Sequence, residues 1–188
     1  GIREVILSGG DPFMLTDARL GGILKYIRGI GHVELIRIHT RMPGMLPDRV
    51  TTGLARYLSR FHPLFVNIQF NHPDELTSAA ISACGRLADA GIPLGSQTVL
   101  LAGVNDDPAT MLRLMRRLLI SRIRPYYLHL PDPVKGTAHF RVPLEAGLAI
   151  LEYLRGRLSG IGVPQYMIDL PGGGGKVPIL PDYIIDRS

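Results

Sequence analysis

The stretch IDLPGGGGKVPIL, residues 168–180, places a lysine, Lys176, directly after four consecutive glycines. Lysine is the side chain that forms an imine with an aldehyde. Four glycines in a row cost conformational entropy when they are ordered, so an ordered run needs a physical reason. The sequence therefore raises the question of what the backbone before Lys176 approaches.

Three interpretations of this glycine run can be compared. A nucleotide-binding P-loop requires G-x-x-x-x-G-K-S/T at the start of a helix. Here Leu170 stands where the first glycine is needed and Val177 stands where Ser or Thr is needed, which argues against it. A plain surface turn stays open. In the third interpretation the backbone passes close to a bulky ligand that Lys176 reaches, and a lysine facing an aldehyde beside glycine amides facing a phosphate indicates pyridoxal phosphate.

Two carboxylates fall in the loops after the last two predicted strands. Asp132 lies in HLPDPVKGTAHF, and Asp169 lies just before the glycine run. Each is equally consistent with an ordinary turn or cap residue. Together, beside a site where lysine meets an aldehyde, they form a clamp for a cationic group, because a paired ammonium is far less costly to desolvate than a lone one.

A second glycine turn follows the first predicted strand, in ILSGGDP. Gly9 and Gly10 leave backbone amides and carbonyls open, and Asp11 adds a negative charge. This combination suits the α-amino and carboxylate groups of an amino acid or of a methionine moiety. A simple turn capped by Asp11 explains the same residues, so both interpretations stay open.

Short β-branched runs alternate with amphipathic helices along the chain. Strands are predicted over residues 4–10, 33–41, 63–72, 93–103, 124–130 and 164–170, with helices between them. The pattern also predicts Asp48 as a helix N-cap and Gly91 as a helix end. Strands that are apolar on both faces and separated by helices indicate a parallel sheet, wound as a barrel or as an open doubly wound sheet. Polar residues at successive strand ends favour the barrel, in which they meet at one mouth.

Composition limits the class of protein. With 188 residues, 46% of them hydrophobic, the chain is long enough for one domain with a core. No apolar run reaches the about 20 residues of a membrane span, and no secretory signal is recognised, which favours a cytoplasmic protein. The net charge of +5 suits an anionic cofactor or substrate better than nucleic acid. The single cysteine, Cys84, is predicted to be a small buried residue.

Over essentially all of its 188 residues the chain resembles the lysine 2,3-aminomutases, radical S-adenosylmethionine (SAM) enzymes that also use pyridoxal phosphate. The blocks that carry the resemblance are, in order, LSGGDP, HPLFVNIQFNHPDELT, ADAGIPLGSQTVLLAGVND, RPYYLHLPD, GTAHFRVP, LRGRLSGIGVP and IDLPGGGGKVPILPDY. The resemblance implies an α/β fold, the parallel (β/α) partial barrel of the radical SAM type. About six βα units would be present, with the first strand or strands missing.

The resemblance also implies residue roles around pyridoxal phosphate and substrate. Lys176 is similar to the lysine that holds pyridoxal phosphate as an internal aldimine, and is thus the catalytic residue. Tyr126 matches a tyrosine near the same cofactor. Asp132 and Asp169 resemble the two carboxylates that clamp the ε-ammonium group of the substrate.

Further positions resemble the part of the family site that binds S-adenosylmethionine. Gly9, Gly10 and Asp11 match the segment that binds the methionine part of this cofactor, and Gln97 matches a position near the same ligand. Arg41 matches an arginine near the mouth of the barrel, with no assigned contact.

The activity implied by the resemblance is the isomerisation of L-lysine to β-lysine. A reduced 4Fe–4S cluster cleaves S-adenosylmethionine, and the resulting 5′-deoxyadenosyl radical removes a hydrogen from the β-carbon of lysine. The amino group, held as an imine on pyridoxal phosphate, then moves from C2 to C3 through a cyclic radical. The expected partner is a small amino acid, with no nucleic acid and no membrane, and the full-length protein is expected to be a homo-oligomer.

The match to the family is incomplete in three places. The family holds its cluster with three cysteines at C-x-x-x-C-x-x-C spacing upstream of the GGD segment, and Cys84 cannot replace them. Gln69 stands where the family has histidine, which puts one ligand contact in doubt. Lys135, three residues after Asp132, would weaken the attraction of that carboxylate for a cationic substrate.

The chain is therefore interpreted as a fragment that does not turn over by itself. Residues 1–188 are predicted to form a single domain, the C-terminal part of the partial barrel including the pyridoxal phosphate lysine loop, with the cluster ligands outside it. Two alternatives stay open: an isomerase acting on a lysine of translation elongation factor P, and a non-catalytic module that binds pyridoxal phosphate. The paired carboxylates argue against the relative that isomerises glutamate.

Overall fold

Strands and helices alternate throughout the part of the chain that the structure describes. A computed structural model describes residues 1–132 and 134–180, without the side chain of residue 171. The strands are β1 Glu4–Leu7, β2 Leu35–Thr40, β3 Leu64–Gln69, β4 Leu94–Val99, β5 Arg124–His129, β6 Gln165–Leu170 and β7 Gly175–Pro178. The α-helices over the same residues are α1 Asp17–Arg28, α2 Met42–Met45, α3 Thr52–Leu58, α4 Ser78–Asp89, α5 Pro108–Ile120 and α6 Leu144–Arg155.

The chain divides into two compact units. The first comprises residues 1–70, 74–96 and 118–124; the second comprises residues 71–73, 97–117 and the chain from residue 125 onward. The first unit thus holds β1 to β3 with the start of β4, and the second holds the end of β4 with β5 to β7. Whether residues 1–188 fold as a single domain stays a prediction.

In the first unit the strands follow the chain order and run parallel. Ile6 lies opposite Arg37, and Ile38 lies opposite Val66. Every second residue of β2 is buried, because side chains alternate between the two faces of a strand. Fully buried leucines and isoleucines of the strands and helices form the core of this unit, namely Leu20, Leu24, Ile36, Ile38, Leu54, Leu58, Leu64 and Ile68.

Three helices of the first unit begin after a threonine that caps them. The Oγ1 atoms of Thr16, Thr51 and Thr77 each accept a hydrogen bond from the backbone N–H three residues later, which satisfies one free donor of the helix end. The prediction of Asp48 as an N-cap is wrong. Residues 47–49 instead form a 3-10 turn, so α3 begins later, after Thr51.

The second unit contains parallel β5 and β6, followed by the antiparallel strand β7. Tyr166 of β6 is fully buried against Gly147 of α6. A Cβ atom on residue 147 would lie 2.2 Å from the tyrosine Cζ atom. A glycine is therefore required on that face of the helix. The six strands predicted from the sequence are present, while β7 was not predicted because its four residues, GKVP, are exposed and lack an alternating pattern.

Several predictions about local structure are confirmed. Gly91 follows the end of α4 with a φ of +78°, the left-handed conformation that glycine adopts without strain. The Cys84 side chain is fully buried in α4. Across the described residues, no helix combines the length and the apolar content needed to cross a bilayer. The predicted class, a parallel α/β fold, is the observed one.

Candidate functional site

The glycine run before Lys176 is the turn of a hairpin between β6 and β7 in the second unit. Gly172, Gly173 and Gly175 have φ values of 71°, 85° and 73°, a region that residues with a Cβ atom rarely adopt. No atom of the described residues lies within 4 Å of the Cβ position of any of the three, so these residues leave the space beside the turn open. Lys176 then lies in a strand and not at the start of a helix, which excludes the P-loop interpretation.

Lys176 and Asp169 face each other across this hairpin. They are directly opposite in the antiparallel register. The lysine Nζ atom donates to both carboxylate oxygens of Asp169, at 2.8 Å from Oδ1 and 2.6 Å from Oδ2. Their side chains are 43% and 38% exposed, respectively, so both groups can be reached from solvent. An amine and a carboxylate are therefore held together at an accessible edge.

His129, the last residue of β5, lies in the electrostatic field of the same groups. Burial lowers its pKa most, and the Lys176 ammonium lowers it further, against the opposing effect of Asp169 and Asp132. The lowered pKa favours the neutral imidazole, in which one ring nitrogen donates a hydrogen bond and the other accepts one. Three residues predicted from the sequence, Asp132, Asp169 and Lys176, therefore act electrostatically on His129 within one unit.

Tyr126 belongs to an aromatic cluster on β5. Its Oη atom donates to the Oη atom of Tyr127 at 2.8 Å, and the two rings stack with centroids 3.7 Å apart. Tyr127 in turn meets His129 edge to face, at 5.4 Å between ring centroids. Sequence reasoning singled out Tyr126 alone. The period of two along a strand was a signal for Tyr127 and His129, because it places both on one face at the carboxyl end of β5.

In the first unit, Gly9 and Gly10 follow β1 with φ values of 81° and 44°, and within the part of the chain that the structure describes nothing lies within 4 Å of their Cβ positions. Asp11 closes this glycine loop against the end of β2. Its Oδ1 atom accepts from the Phe13 N–H at 2.9 Å and from the Thr40 hydroxyl at 2.7 Å, while Oδ2 accepts from the Arg41 N–H at 2.6 Å. Both carboxylate oxygens are thus engaged by protein donors, and the open surface of the loop is backbone.

Polar side chains also follow β2 and β3 in the first unit. The Arg41 guanidinium lies 3.7 Å from the Glu75 carboxylate. His39 and Asn67 are opposite each other in the register, with their side-chain nitrogens 3.4 Å apart. Gln69, the departure from the family pattern, ends β3 and is half-buried.

At the end of β4, in the second unit, Gln97 is half-buried on the face opposite Thr98. A residue that sequence reasoning missed, Asn105, is fully buried beside this strand. Its Nδ2 atom donates to the carbonyls of Asn71 and Val99, and its Oδ1 atom accepts from the Leu101 N–H. Asn105 therefore holds the loop after β4. A lone Asn between two turns carried no signal for this.

The described residues offer no cluster of metal ligands. Over residues 1–132 and 134–180, no three His, Cys, Asp or Glu side chains are grouped so that they could hold a metal ion. Burial raises the pKa of the Cys84 thiol to about 12, so it carries no thiolate near neutral pH. The described residues thus do not fit an iron–sulfur cluster.

The fold resembles those of two solved proteins. A domain of pyruvate-formate lyase-activating enzyme from Bacteroides vulgatus matches with a TM-score of 0.62 and 17% identity, covering 87% of this chain and 97% of that one. A radical SAM methyltransferase from Sphaerobacter thermophilus matches with a TM-score of 0.50 and 19% identity, covering 71% of this chain and 40% of that one. These likenesses show the fold: the class of protein that it defines is an α/β protein with a mostly parallel sheet.

The sequence narrows this class to one family. The family model described as Lysine-2,3-aminomutase matches residues 151–188. L-lysine 2,3-aminomutase from Methanococcus maripaludis is 51% identical over 98% of this chain, and the protein of that name from Fusobacterium nucleatum is 49% identical over 100% of it. Glutamate 2,3-aminomutase from Clostridioides difficile is 44% identical over 100% of the chain and 44% of its own length. The chain belongs to the lysine 2,3-aminomutase family.

The chain spans less than half the length of these relatives, 42% of the Methanococcus protein and 44% of the Fusobacterium protein. The comparisons cover the residues of both candidate sites described above. The roles of the individual site residues, and the meeting of all strand ends at one mouth, stay predictions.

Proposed function

We propose that this chain is the part of an L-lysine 2,3-aminomutase that binds pyridoxal phosphate and the side chain of the substrate. The observation that carries the proposal is the pairing of Lys176 with Asp169 on an open, glycine-rich hairpin, with His129 under the electrostatic influence of these two groups and of Asp132. The names and identities of the relatives support the same reaction, the movement of an amino group from C2 to C3 of L-lysine.

The residues of the hairpin fit pyridoxal phosphate. Lys176 offers an accessible primary amine, and the turn before it leaves space that no other part of the described chain fills. Bound there, pyridoxal phosphate supplies an aldehyde that holds the migrating amino group and a conjugated ring that stabilises the rearranging electrons. The stacked rings of Tyr126 and Tyr127 offer a flat aromatic surface, which supports a contact of Tyr126 with this cofactor.

The carboxylates of Asp132 and Asp169 support a cationic substrate. A substrate ε-ammonium placed between them exchanges its hydration for two opposite charges, which limits the cost of desolvation. A glutamate substrate would bring a third carboxylate toward these two, and like charges would repel it. The two carboxylates therefore favour L-lysine over glutamate, the amino acid in the name of the Clostridioides relative.

The glycine loop of the first unit supports a separate binding role, for the methionine part of S-adenosylmethionine. Gly9 and Gly10 present open backbone there. Because both oxygens of Asp11 are engaged by protein donors, we assign to Asp11 the shaping of the loop. The proposal also includes a contact of Gln97 with the same cofactor. It further includes a 4Fe–4S cluster whose ligands lie outside the described residues.

The experiment that tests the cofactor site uses the small number of lysines. The chain has three, Lys25, Lys135 and Lys176. Pyridoxal phosphate is added at low concentration, the imines are reduced with borohydride, and the labelled peptides are quantified by mass spectrometry. We expect label concentrated on Lys176, lost in Lys176→Ala and unchanged in the matched control Lys135→Ala. Equal labelling of the three lysines would contradict the assignment of Lys176.

A second arm of this experiment tests the substrate class. L-lysine and L-norleucine, which lacks the ε-ammonium, are compared as ligands of the cofactor-loaded chain by thermal shift. Stabilisation by L-lysine beyond that by L-norleucine, reduced in Asp132→Asn and in Asp169→Asn, is the expected result. Equal stabilisation by the two amino acids would rule out the carboxylate clamp.

A further inference from the structure

The ion pair between Asp169 and Lys176 places two proposed functions in conflict. Lys176 is assigned to bond with an aldehyde, and Asp169 is assigned to bind the substrate ammonium. In the structure these two groups bind each other, because the Lys176 Nζ atom lies 2.8 Å from Oδ1 and 2.6 Å from Oδ2 of Asp169. A protonated amine has no lone pair for attack on a carbonyl. A carboxylate that is already paired with one ammonium group attracts a second cation only weakly.

The hairpin register makes this pairing a built feature of the chain. Asp169 and Lys176 are direct cross-strand partners, and the neighbouring register pairs are Ile168 with Val177 and Leu170 with Gly175. Directly opposite residues in an antiparallel pair have Cβ atoms about 5 Å apart, which suits contact between opposite charges. The glycines of the turn determine this register through their positive φ values.

We propose that Asp169 is a positioning residue for Lys176 in the cofactor-free chain, and that breaking their ion pair orders the loading of the site. Pyridoxal phosphate binds first, because its bond to Lys176 removes the ammonium from Asp169. The cationic substrate binds second, to the carboxylate that is thereby released. The inference rests on the proposed function for the identity of both ligands, but the control of Lys176 reactivity by Asp169 does not.

The covalent step balances without a further reactant. Lys176 leaves Asp169 and gives its extra proton to solvent, so that the nitrogen lone pair becomes available. The nitrogen then forms a bond to the aldehyde carbon, and the aldehyde oxygen leaves as water. One ion pair is lost and one imine is formed, with no oxidation or reduction.

The test measures the reactivity of Lys176 with an aldehyde that is not a cofactor. Formaldehyde and a borane reductant methylate accessible amines, and the three lysines are quantified separately by peptide mass spectrometry. Lys25 and Lys135, both exposed, serve as internal standards. We expect the initial labelling rate of Lys176, relative to these standards, to rise about two- to fivefold in Asp169→Asn, the range expected for loss of an exposed ion pair.

Asp132→Asn is the matched control. It removes the same charge from the same neighbourhood, and among the described residues Asp132 forms no ion pair with Lys176. A smaller change than in Asp169→Asn is expected. An equal rise in both variants would mean that overall charge, and not the pair, governs reactivity, and an unchanged Lys176 rate in Asp169→Asn would overturn the proposal outright.

A third condition needs no substitution and so avoids any effect on folding. High salt screens an exposed ion pair, so about 1 M NaCl is expected to bring the Lys176 labelling ratio of the unmodified chain toward that of Asp169→Asn. No effect of salt on this ratio would contradict the proposal. Circular dichroism checks that each variant retains the native helix content.

Repeating the measurement with pyridoxal phosphate and borohydride separates this inference from the proposed function. If formaldehyde reports release of Lys176 but pyridoxal phosphate labels the three lysines equally, the cofactor assignment fails while the control by Asp169 stands. If pyridoxal phosphate labels Lys176 selectively but at the same rate in the unmodified chain and in Asp169→Asn, the cofactor site stands and the ordered loading is wrong.

Discussion

Replacing Asp11 with asparagine tests how the glycine loop of the first unit is held. The Asp11 carboxylate accepts three hydrogen bonds, from the Phe13 N–H, the Thr40 hydroxyl and the Arg41 N–H. Asparagine preserves the size of the side chain and one acceptor oxygen. Its NH₂ group, however, would face the Arg41 N–H, so that two donors oppose each other where an acceptor is needed.

The magnitude follows from these bonds. A hydrogen bond to a charged group contributes about 1.5–3 kcal/mol, and the bond to Arg41 is lost while the other two become neutral. Because part of the Asp11 side chain is solvated, we expect Asp11→Asn to lower the free energy of unfolding by about 2 kcal/mol. With a urea m value of about 2 kcal/mol per M, the midpoint would fall by about 1 M.

The assay is urea unfolding followed by circular dichroism, with Asp48→Asn as the control. Asp48 is exposed and is the N-cap residue of neither its own 3-10 turn nor α3, so its substitution is expected to change stability by less than about 0.5 kcal/mol. If Asp11→Asn lowered the free energy of unfolding by as little as Asp48→Asn does, the three hydrogen bonds would not hold the loop. The reasoning that assigns Asp11 to the shaping of the loop would then be refuted.

Two further predictions concern the second unit. Gly147→Ala is expected to lower the free energy of unfolding by about 1–3 kcal/mol, because its methyl group would overlap the fully buried ring of Tyr166. The control is Gly22→Ala, at an exposed position of α1 in the first unit. In the same urea assay it is expected to raise the free energy of unfolding by about 0.5–1 kcal/mol. The pKa of His129 lies below the 6.5 of an ordinary histidine, so the unfolded chain binds more protons and stability falls as the pH drops below about 6.5. His129→Gln should make stability between pH 5 and pH 7, measured by urea titration, depend less on pH.

Each of these two predictions has an outcome that would contradict it. Equal destabilisation by both alanine substitutions would mean that the contact with Tyr166 is not the cause. A pH dependence that is as steep in His129→Gln as in the unmodified chain would mean that His129 does not carry it.

Local structure was predictable because it depends on short stretches of sequence. The alternation of β-branched runs with amphipathic segments indicated six strands and their helices, and Gly91 marked the end of α4. The Asp48 cap failed because several residues near a helix start can cap it, and Thr51 competes with Asp48 for that role. The strand β7 failed because an exposed strand has no apolar face to reveal it.

The sequence by itself determined the chemical groups of this protein and their order. It places one lysine after a run of four glycines, one carboxylate in each of the loops after the last two predicted strands, and a glycine turn after the first strand. The roles of these residues came from resemblance to a family. None of this established which groups touch, since spacing along a chain does not determine distances across a sheet.

Tertiary structure decided the contacts. The register of the β6–β7 hairpin brings Asp169 to Lys176, and the parallel pairing of β1 with β2 brings Asp11 to Thr40 and Arg41, about thirty residues away. Burial at the end of β5 lowers the pKa of His129. These properties arise from strand register and from the exclusion of water, which depend on residues far apart in the chain and become visible only in the folded protein.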